Sequence, residues 1–302
     1  MANAQVLKRR IHSVGNTRQI TKAMELVSAT KMRRVQETVG RVRVYSDATI
    51  SILQRLSNSV EAVHHPYFKP PVAKAKLYVI FTSDGGLAGA YNSNVFNFTA
   101  KAFAQDKAQG IQPLVVAFGR KGAHHFSHET NLRLLGEYEA VADDPDTNVF
   151  AAVLDVIKTG IQNTEFSAVE LIYTEFRSTM NQRVVNLQLI PVNALTDPTE
   201  DESPTPAPKN AAETDVVFEF EPNAEAVLNS ALRLYFESSL RRARVEAAAS
   251  EHAMRMMSMN SANRNAGDLI DNLTLELNAT RQAAITAEMA EIIGGADAIT
   301  NN

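Results

Sequence analysis

The 302-residue sequence contains no cysteine and no tryptophan. Without cysteine there can be no disulfide, no thiol nucleophile and no thiolate metal site. No stretch approaches the run of about 18 apolar residues that a membrane-spanning helix needs, so the chain is not expected to cross a bilayer by itself. The opening "MANAQVLKRR" is basic but has no apolar core behind it, and does not read as a secretory signal. Proline is missing from two long stretches, Val6 to Val63 and everything after Pro222. Glycine is scarce there too: Gly15 and Gly40 in the first, and Gly267 ahead of the Gly294–Gly295 pair in the second.

What fills those stretches is helical in period. In the first, Ile20, Met24, Val27, Val35, Val39, Val42, Ile52, Leu53, Leu56, Val60 and Val63 recur at spacings of three and four. "HHPYFKPP" at 64–71 stops the pattern, because proline cannot continue a helix. In the second, Leu228, Leu232, Tyr235, Phe236, Leu240, Leu269, Leu273, Leu277, Ile285, Met289 and Ile292 do the same. Asn223 or Pro222 marks the start, and Gly294 is the expected stop. Helices of this length would run to roughly 85–100 Å. Neither can hide its stripe in a small core, so the two are expected to pair as an antiparallel coiled coil. The heptads look irregular, with small polar runs such as "AAAS" and "SANRNAG" where a strong zipper has Leu or Ile.

Hydrophobic content of 45% and charged content of 21% are ordinary for a globular chain, and the net charge is −4. The charge is unevenly spread. Residues 1–45 carry ten cations (Lys8, Arg9, Arg10, Arg18, Lys22, Lys31, Arg33, Arg34, Arg41, Arg43) against only Glu25 and Glu37. A basic arm on an otherwise acidic chain suits an anionic partner, either nucleic acid or an acidic protein surface.

Between the arms the texture changes. "LYVIFT" (77–82), "PLVVAF" (113–118) and "VELIYTEF" (169–176) read as buried parallel strands, separated by helical segments at 92–107 and 148–161. "VVNLQLIPV" (184–192) alternates like a strand with one solvated face. The expected organisation is an N-terminal helix over 1–63, a Rossmann-like α/β body over 73–193, an acidic, Pro-rich loop with a final strand over 194–222, and a C-terminal helix over 223–294.

The loop "TSDGGLAGAYNSNV" (82–95) is the obvious candidate for nucleotide chemistry, since it follows a strand and precedes a helix. Its glycines, Gly85, Gly86 and Gly89, fit neither G-x-G-x-x-G nor G-x-x-x-x-G-K-[ST], and Asp84 would repel a phosphate. It reads as a structural turn, with Asn92 or Ser93 as helix cap. His124, His125, His128 and Glu129 lack a distant third ligand and suit a histidine-rich surface helix. "MRMMSMN" (254–260) suits packing. No catalytic dyad and no metal site is recognisable.

Four segments, "NTRQITKAMELVSATKMRRVQ" (16–36), "TSDGGLAGAYNSN" (82–94), "SEHAMRMMSMNSANRNAGDLI" (250–270) and "NATRQAAITAEMAEIIGGA" (278–296), resemble the gamma subunit of the F-type ATP synthase. The resemblance implies a non-catalytic rotor shaft inside a ring of three alpha and three beta subunits, one copy per complex, with the body beside the epsilon subunit and the c-ring. ATP, ADP and Mg would be bound by partner subunits and no cofactor by this chain. It also implies that Met24, Arg255, Gln282 and Thr286 contact the catch and lever loops of beta. A location on the cytoplasmic face of a bacterial plasma membrane follows from the same resemblance. The competing readings are a nucleotide-binding α/β enzyme with helical arms, which the glycine spacing opposes, and a basic coiled-coil binder of nucleic acid, which lacks interleaved aromatics for base stacking.

Overall fold

A computed structural model describes residues 2–56, 65–129, 132–192, 221 and 223–300. Its elements in chain order are α1 (Ala2–Leu56), β1 (Ala75–Phe81), α2 (Tyr91–Ala108), β2 (Gln112–Phe118), α3 (Arg120–Ser127), β3 (Arg133–Tyr138), a 3₁₀ turn (Thr147–Phe150), α4 (Ala151–Gln162), β4 (Ala168–Phe176), β5 (Gln182–Ile190) and α5 (Ala224–Thr300). Two compact units result, residues 1–30 with 255–302, and residues 31–254. Val60, Val63, His64 and the acidic loop with its final strand lie outside the described residues.

In the larger unit a five-stranded sheet has the order β3-β2-β1-β4-β5. β1 pairs in parallel with β2 and β4, β2 in parallel with β3, and β5 runs antiparallel to β4. Side chains alternate across a strand, so β1 presents Leu77, Val79 and Phe81 to one face and Tyr78 and Ile80 to the other. The first face packs on Val153, Ile157 and Ile161 of α4, Leu53 and Leu56 of α1, and Leu228, Leu232, Tyr235, Phe236 and Leu240 of α5. The second packs on Val95 and Phe103 of α2 and Phe126 of α3. Each such side chain, fully buried, contributes about 1.5–3 kcal/mol relative to exposure. With both faces covered, β1, β2 and β4 are mainly apolar and stand out in the sequence, and the buried charge of Glu170 on β4 is met by Lys76 on β1 at 2.9 Å. β5 falls where the alternating segment at 184–192 is expected to form a strand. β3 went unforeseen: it is an edge strand with half-buried residues, Gly136 and a register shift where it meets Val115/Val116.

The long helices carry a correction. Buried positions on α1 fall at Leu7, Thr21, Ser28, Met32, Val35, Thr38, Val39, Val42, Ser46, Thr49, Leu53 and Leu56, and all but Thr38 lie on one seven-residue repeat. On α1 the heptads are therefore largely regular, and Val35, Val39, Val42, Leu53 and Leu56 are buried as expected, whereas Ile20 and Val27 are exposed. Ahead of Met32, counting only aliphatic residues misplaces the seam by one position, because Thr21 and Ser28 occupy it. Burying such residues costs little where the hydroxyl is satisfied inside the helix, as Thr21 Oγ1 donating to the Arg18 carbonyl at 2.9 Å and Thr49 Oγ1 to the Tyr45 carbonyl at 2.7 Å show.

α5 starts as expected, with the Asn223 carboxamide oxygen accepting from the Ala226 N–H at 2.8 Å. It does not stop at Gly294 but continues to Thr300. Glycine within a helix costs about 1 kcal/mol relative to alanine, and two of them weaken a helix without ending it.

Candidate partner-contact surface

In the smaller unit α1 and α5 run antiparallel: Glu25 meets Asn260, while Arg18, earlier on α1, lies against Gly267, later on α5. Glu25 accepts from Lys22 Nζ at 3.1 Å and from Asn260 Nδ2 at 3.1 Å. The Lys22 hydrogen bond holds its carboxyl below the usual glutamate range, with Asn260 and the charges of Lys22 and Arg264 adding to it against the opposing effect of burial. Around this seam the surface is apolar and cationic. Val6, Ile20, Leu26 and Val27 on α1 are more than half exposed, as are Leu275, Met289, Ile292 and Ile293 on α5. Lys8, Arg9, Arg10, Arg18 and Lys22 are exposed as well. Several large apolar side chains left exposed along one helix pair are a feature that surfaces for other proteins share.

Every residue from Arg281 to Ile293 is exposed. Gln282 and Thr286 lie in this stretch, one helical turn apart, with Thr286 Oγ1 donating to the Gln282 carbonyl at 2.9 Å. Met24 is half-buried on α1. Arg255 is half-buried on α5 and already has an interaction partner within the chain. Gln282 is 27 residues beyond Arg255, roughly 40 Å along a helix, so these residues do not converge on one spot. They are spread along a surface, as contacts with an enclosing partner would be, and not gathered as a catalytic site would be.

The glycine turn of the body is occupied by the chain's own groups. Asp84 Oδ1 accepts from the N–H of Arg120, at the start of α3, at 3.0 Å and from the N–H of Ala140 at 3.1 Å. The Arg120 guanidinium turns back to the Asp84 carbonyl, with Nη2 at 3.1 Å. A carboxylate thus sits where an α/β fold of this strand order would place an anionic ligand. Gly89 has φ of 57° and supplies the left-handed turn, while Gly85 and Gly86 extend the loop. Asn92 is not the helix cap expected. α2 begins at Tyr91, and Asn92 instead clamps Ser83, accepting from its N–H at 3.1 Å and donating to its Oγ at 2.7 Å. His124 and His128 lie against one another with their rings tilted by 33°, His125 stacks on Phe96, and no group of three metal-binding side chains occurs among the described residues.

Sequence reasoning missed a second feature, in the larger unit. From Ala243 to Ala253 every residue of α5 is buried, although the run includes Arg244, Glu246, Glu251 and His252. Glu246, 1% exposed, accepts from Arg43 Nε of α1 at 2.8 Å, from Arg242 Nε at 3.2 Å and from the Phe176 N–H at the end of β4 at 3.4 Å. Arg43 also donates to the Phe176 carbonyl at 2.6 Å, and Ser250 Oγ to the Thr174 carbonyl at 3.1 Å. Arg244 donates to the carbonyls of Val141 and Ala142 at 2.6 and 3.0 Å. Asp143 accepts from His252 Nε2 at 2.9 Å. Burial pushes the Asp143 carboxyl upward, but the His252 hydrogen bond and the pull of His252, Arg244 and Lys31 outweigh it and hold it below its ordinary value. The available signal was charge inside an alanine-rich run, "ARVEAAASEHA", which a solvated helix would not need to keep so small.

An extended contact surface, a self-filled turn and a buried collar define a subunit that works by touching other proteins. The family model for ATP synthase matches residues 3–299. The ATP synthase gamma chain of Desulforamulus reducens is 37% identical over 302 residues, 99% of this chain and 100% of that one. That of Chloroflexus aurantiacus is 36% identical over 100% of both. Among solved structures, the central stalk of the Tetrahymena thermophila mitochondrial ATP synthase is 26% identical with a TM-score of 0.57, over 80% of this chain and 99% of that one. A chain from the OSCP/F1/c-ring structure of the Euglena gracilis mitochondrial ATP synthase, 18% identical with a TM-score of 0.66 over 99% of this chain and 95% of that one, shares the fold. This chain belongs to the family of the ATP synthase gamma chain, the non-catalytic central-stalk subunit of the rotor. The Tetrahymena structure holds that stalk together with a c-ring. No helix among the described residues is long and apolar enough to cross a membrane.

Proposed function

We propose that this chain carries torque between a proton-driven c-ring and three catalytic beta subunits, coupling proton translocation to ATP synthesis or hydrolysis. One copy turns within three alpha and three beta subunits, its body meets the epsilon subunit and the c-ring, and the complex holds it at the cytoplasmic face of a bacterial plasma membrane. ATP, ADP and Mg belong to the partner subunits, and neither cofactor nor nucleic acid is bound here. The observation that carries this reading is the stretch Arg281–Ile293, exposed on all sides and rich in small residues.

A shaft in a sleeve is slowed by any contact much stronger at one angle than at others. Ala283, Ala284 and Ala287 present little that could bond strongly to a sleeve. Gln282 and Thr286 offer the few directional groups that would define resting angles, against the catch loop of beta, with Arg255 lower on the same helix. Met24 and the cations of α1 suit the acidic lever loop of beta.

The test is coupled ATP synthesis in inverted vesicles by the complex carrying Gln282→Ala with Thr286→Ala. Synthesis should fall several-fold while the melting temperature of the chain stays within a degree or so, because exposed substitutions usually change stability by less than about 0.5 kcal/mol. Unchanged synthesis would sink the contact assignment. Separately, a tagged wild-type chain should co-purify with alpha and beta subunits and Mg-ATPase activity, and purification of a lone, nucleotide-binding chain would sink the rotor reading.

A further inference from the structure

We infer that the collar around Ala243–Ala253 acts as a keyed coupling: Glu246 on one side of α5 and Asp143 on the other fix the angle between this helix and the α/β body, so that torque passes from one to the other. The inference rests on the rotor reading above.

A helix turns by about 100° per residue. Arg242, Glu246 and Ser250 are spaced by four and project from one side of α5, toward Phe176 and Thr174 on β4. Arg244 and His252, eight apart, project from nearly the opposite side, toward Val141, Ala142 and Asp143. Two sets of directional bonds on opposite sides of a cylinder resist its rotation as a couple.

The apolar residues of the collar are Ala243, Val245, Ala247, Ala248, Ala249 and Ala253, all buried and all but one alanine. Alanine lets the body approach closely, but it offers little projecting side chain for the body to push against. Apolar contact is also non-directional and resists sliding weakly. Larger side chains from Leu228 to Leu240 pack on the sheet nearer the start of α5, but within the collar angular resistance falls mainly to the polar bonds. Glu246 is placed to carry most of it, because its one carboxylate joins α1 through Arg43, α5 through Arg242 and the sheet through Phe176.

The experiment compares ATP-driven proton pumping with ATP hydrolysis in assembled complexes carrying Glu246→Gln with Asp143→Asn. These changes keep size and remove the charge from each acceptor. Protons pumped per ATP should fall at least three-fold while hydrolysis stays within two-fold of wild type. A merely structural role would lower the yield of complex and leave that ratio unchanged. Glu237→Gln, which removes a charge from the Arg233–Glu237 pair on the same helix outside the collar, should leave the ratio at the wild-type value.

If the double variant does not assemble, Asp143→Asn alone is read in the same way, since Asp143 keeps a third of its side chain exposed. The expected drop is then about 1.5–2-fold. An unchanged ratio in whichever variant assembles overturns the collar as a torque path. A wild-type complex that hydrolyses ATP and pumps nothing would overturn the rotor reading itself, whatever the variants do.

Discussion

Two stretches of α5 have nearly the same composition and opposite surroundings. "ARVEAAASEHA" at 243–253 is buried on every side, and "RQAAITAEMAEII" at 281–293 is exposed on every side. Alanine content alone does not separate them. The polar groups do: in the first stretch Arg244, Glu246, Ser250 and His252 each reach a body residue, whereas in the second Thr286 bonds only to its own helix. Small residues allow close approach in the first stretch, and on the rotor reading proposed above they would keep friction low in the second.

The comparison is broken most forcefully by deleting a glutamate from each stretch. Glu246→Ala leaves Arg43 and Arg242 without their shared acceptor in a nearly closed setting, and should cost about 3 kcal/mol, the low end for breaking a buried pair because both arginines retain some access to water. Glu288→Ala should cost less than about 0.5 kcal/mol. Denaturant unfolding of the full chain measures both, and equal costs would erase the distinction drawn between the stretches.

Added bulk gives the next largest contrast. Ala248→Leu inserts three carbons where the side chain is fully buried and should destabilise by about 1–3 kcal/mol. Ala284→Leu should leave the stability of the isolated chain unchanged and slow turnover of the assembled complex. Thermal melts and steady-state hydrolysis respectively provide the readouts.

Acid titration gives the smallest and most specific effect. Asp143 has its folded pKa lowered below an ordinary value of 3.8, so its contribution is fully present above that value and is lost as the pH falls through the lower, folded one. The chain should lose stability more steeply below about pH 4 than Asp143→Asn does. Matching slopes for wild type and Asp143→Asn would remove Asp143 from the collar's electrostatics.

The architecture was largely legible because burial on both faces makes β1, β2 and β4 mainly apolar, and because two proline-free stretches of helical period leave few alternatives. β3 was hidden by its edge position, which allows half-polar residues. The seam of α1 was legible from Val35 onward and displaced by one residue before it, because Thr21 and Ser28 look like surface residues until Thr21 is seen bonded within the helix and Ser28 buried with it. The resemblance-based contact residues were named in advance, but no property of Gln282 or Thr286 distinguishes them from other exposed polar residues of α5. The collar was invisible for a different reason. Its partners are far apart in the chain, Asp143 and His252 by 109 positions and Arg43 and Glu246 by 203, and no local period reports a pairing of that range.

Asp84 has a last consequence. By donating its own carboxylate to the amides of Arg120 and Ala140, the turn after β1 meets its electrostatic needs without a guest. A body that bound an anion there would gain stability with the concentration of that anion. Here the two amides already have Asp84 as their acceptor, so an anion would have to displace that carboxylate to reach them. On the rotor reading proposed above, the body would then register a change in the nucleotide pool through motion of its partners and not through a ligand of its own.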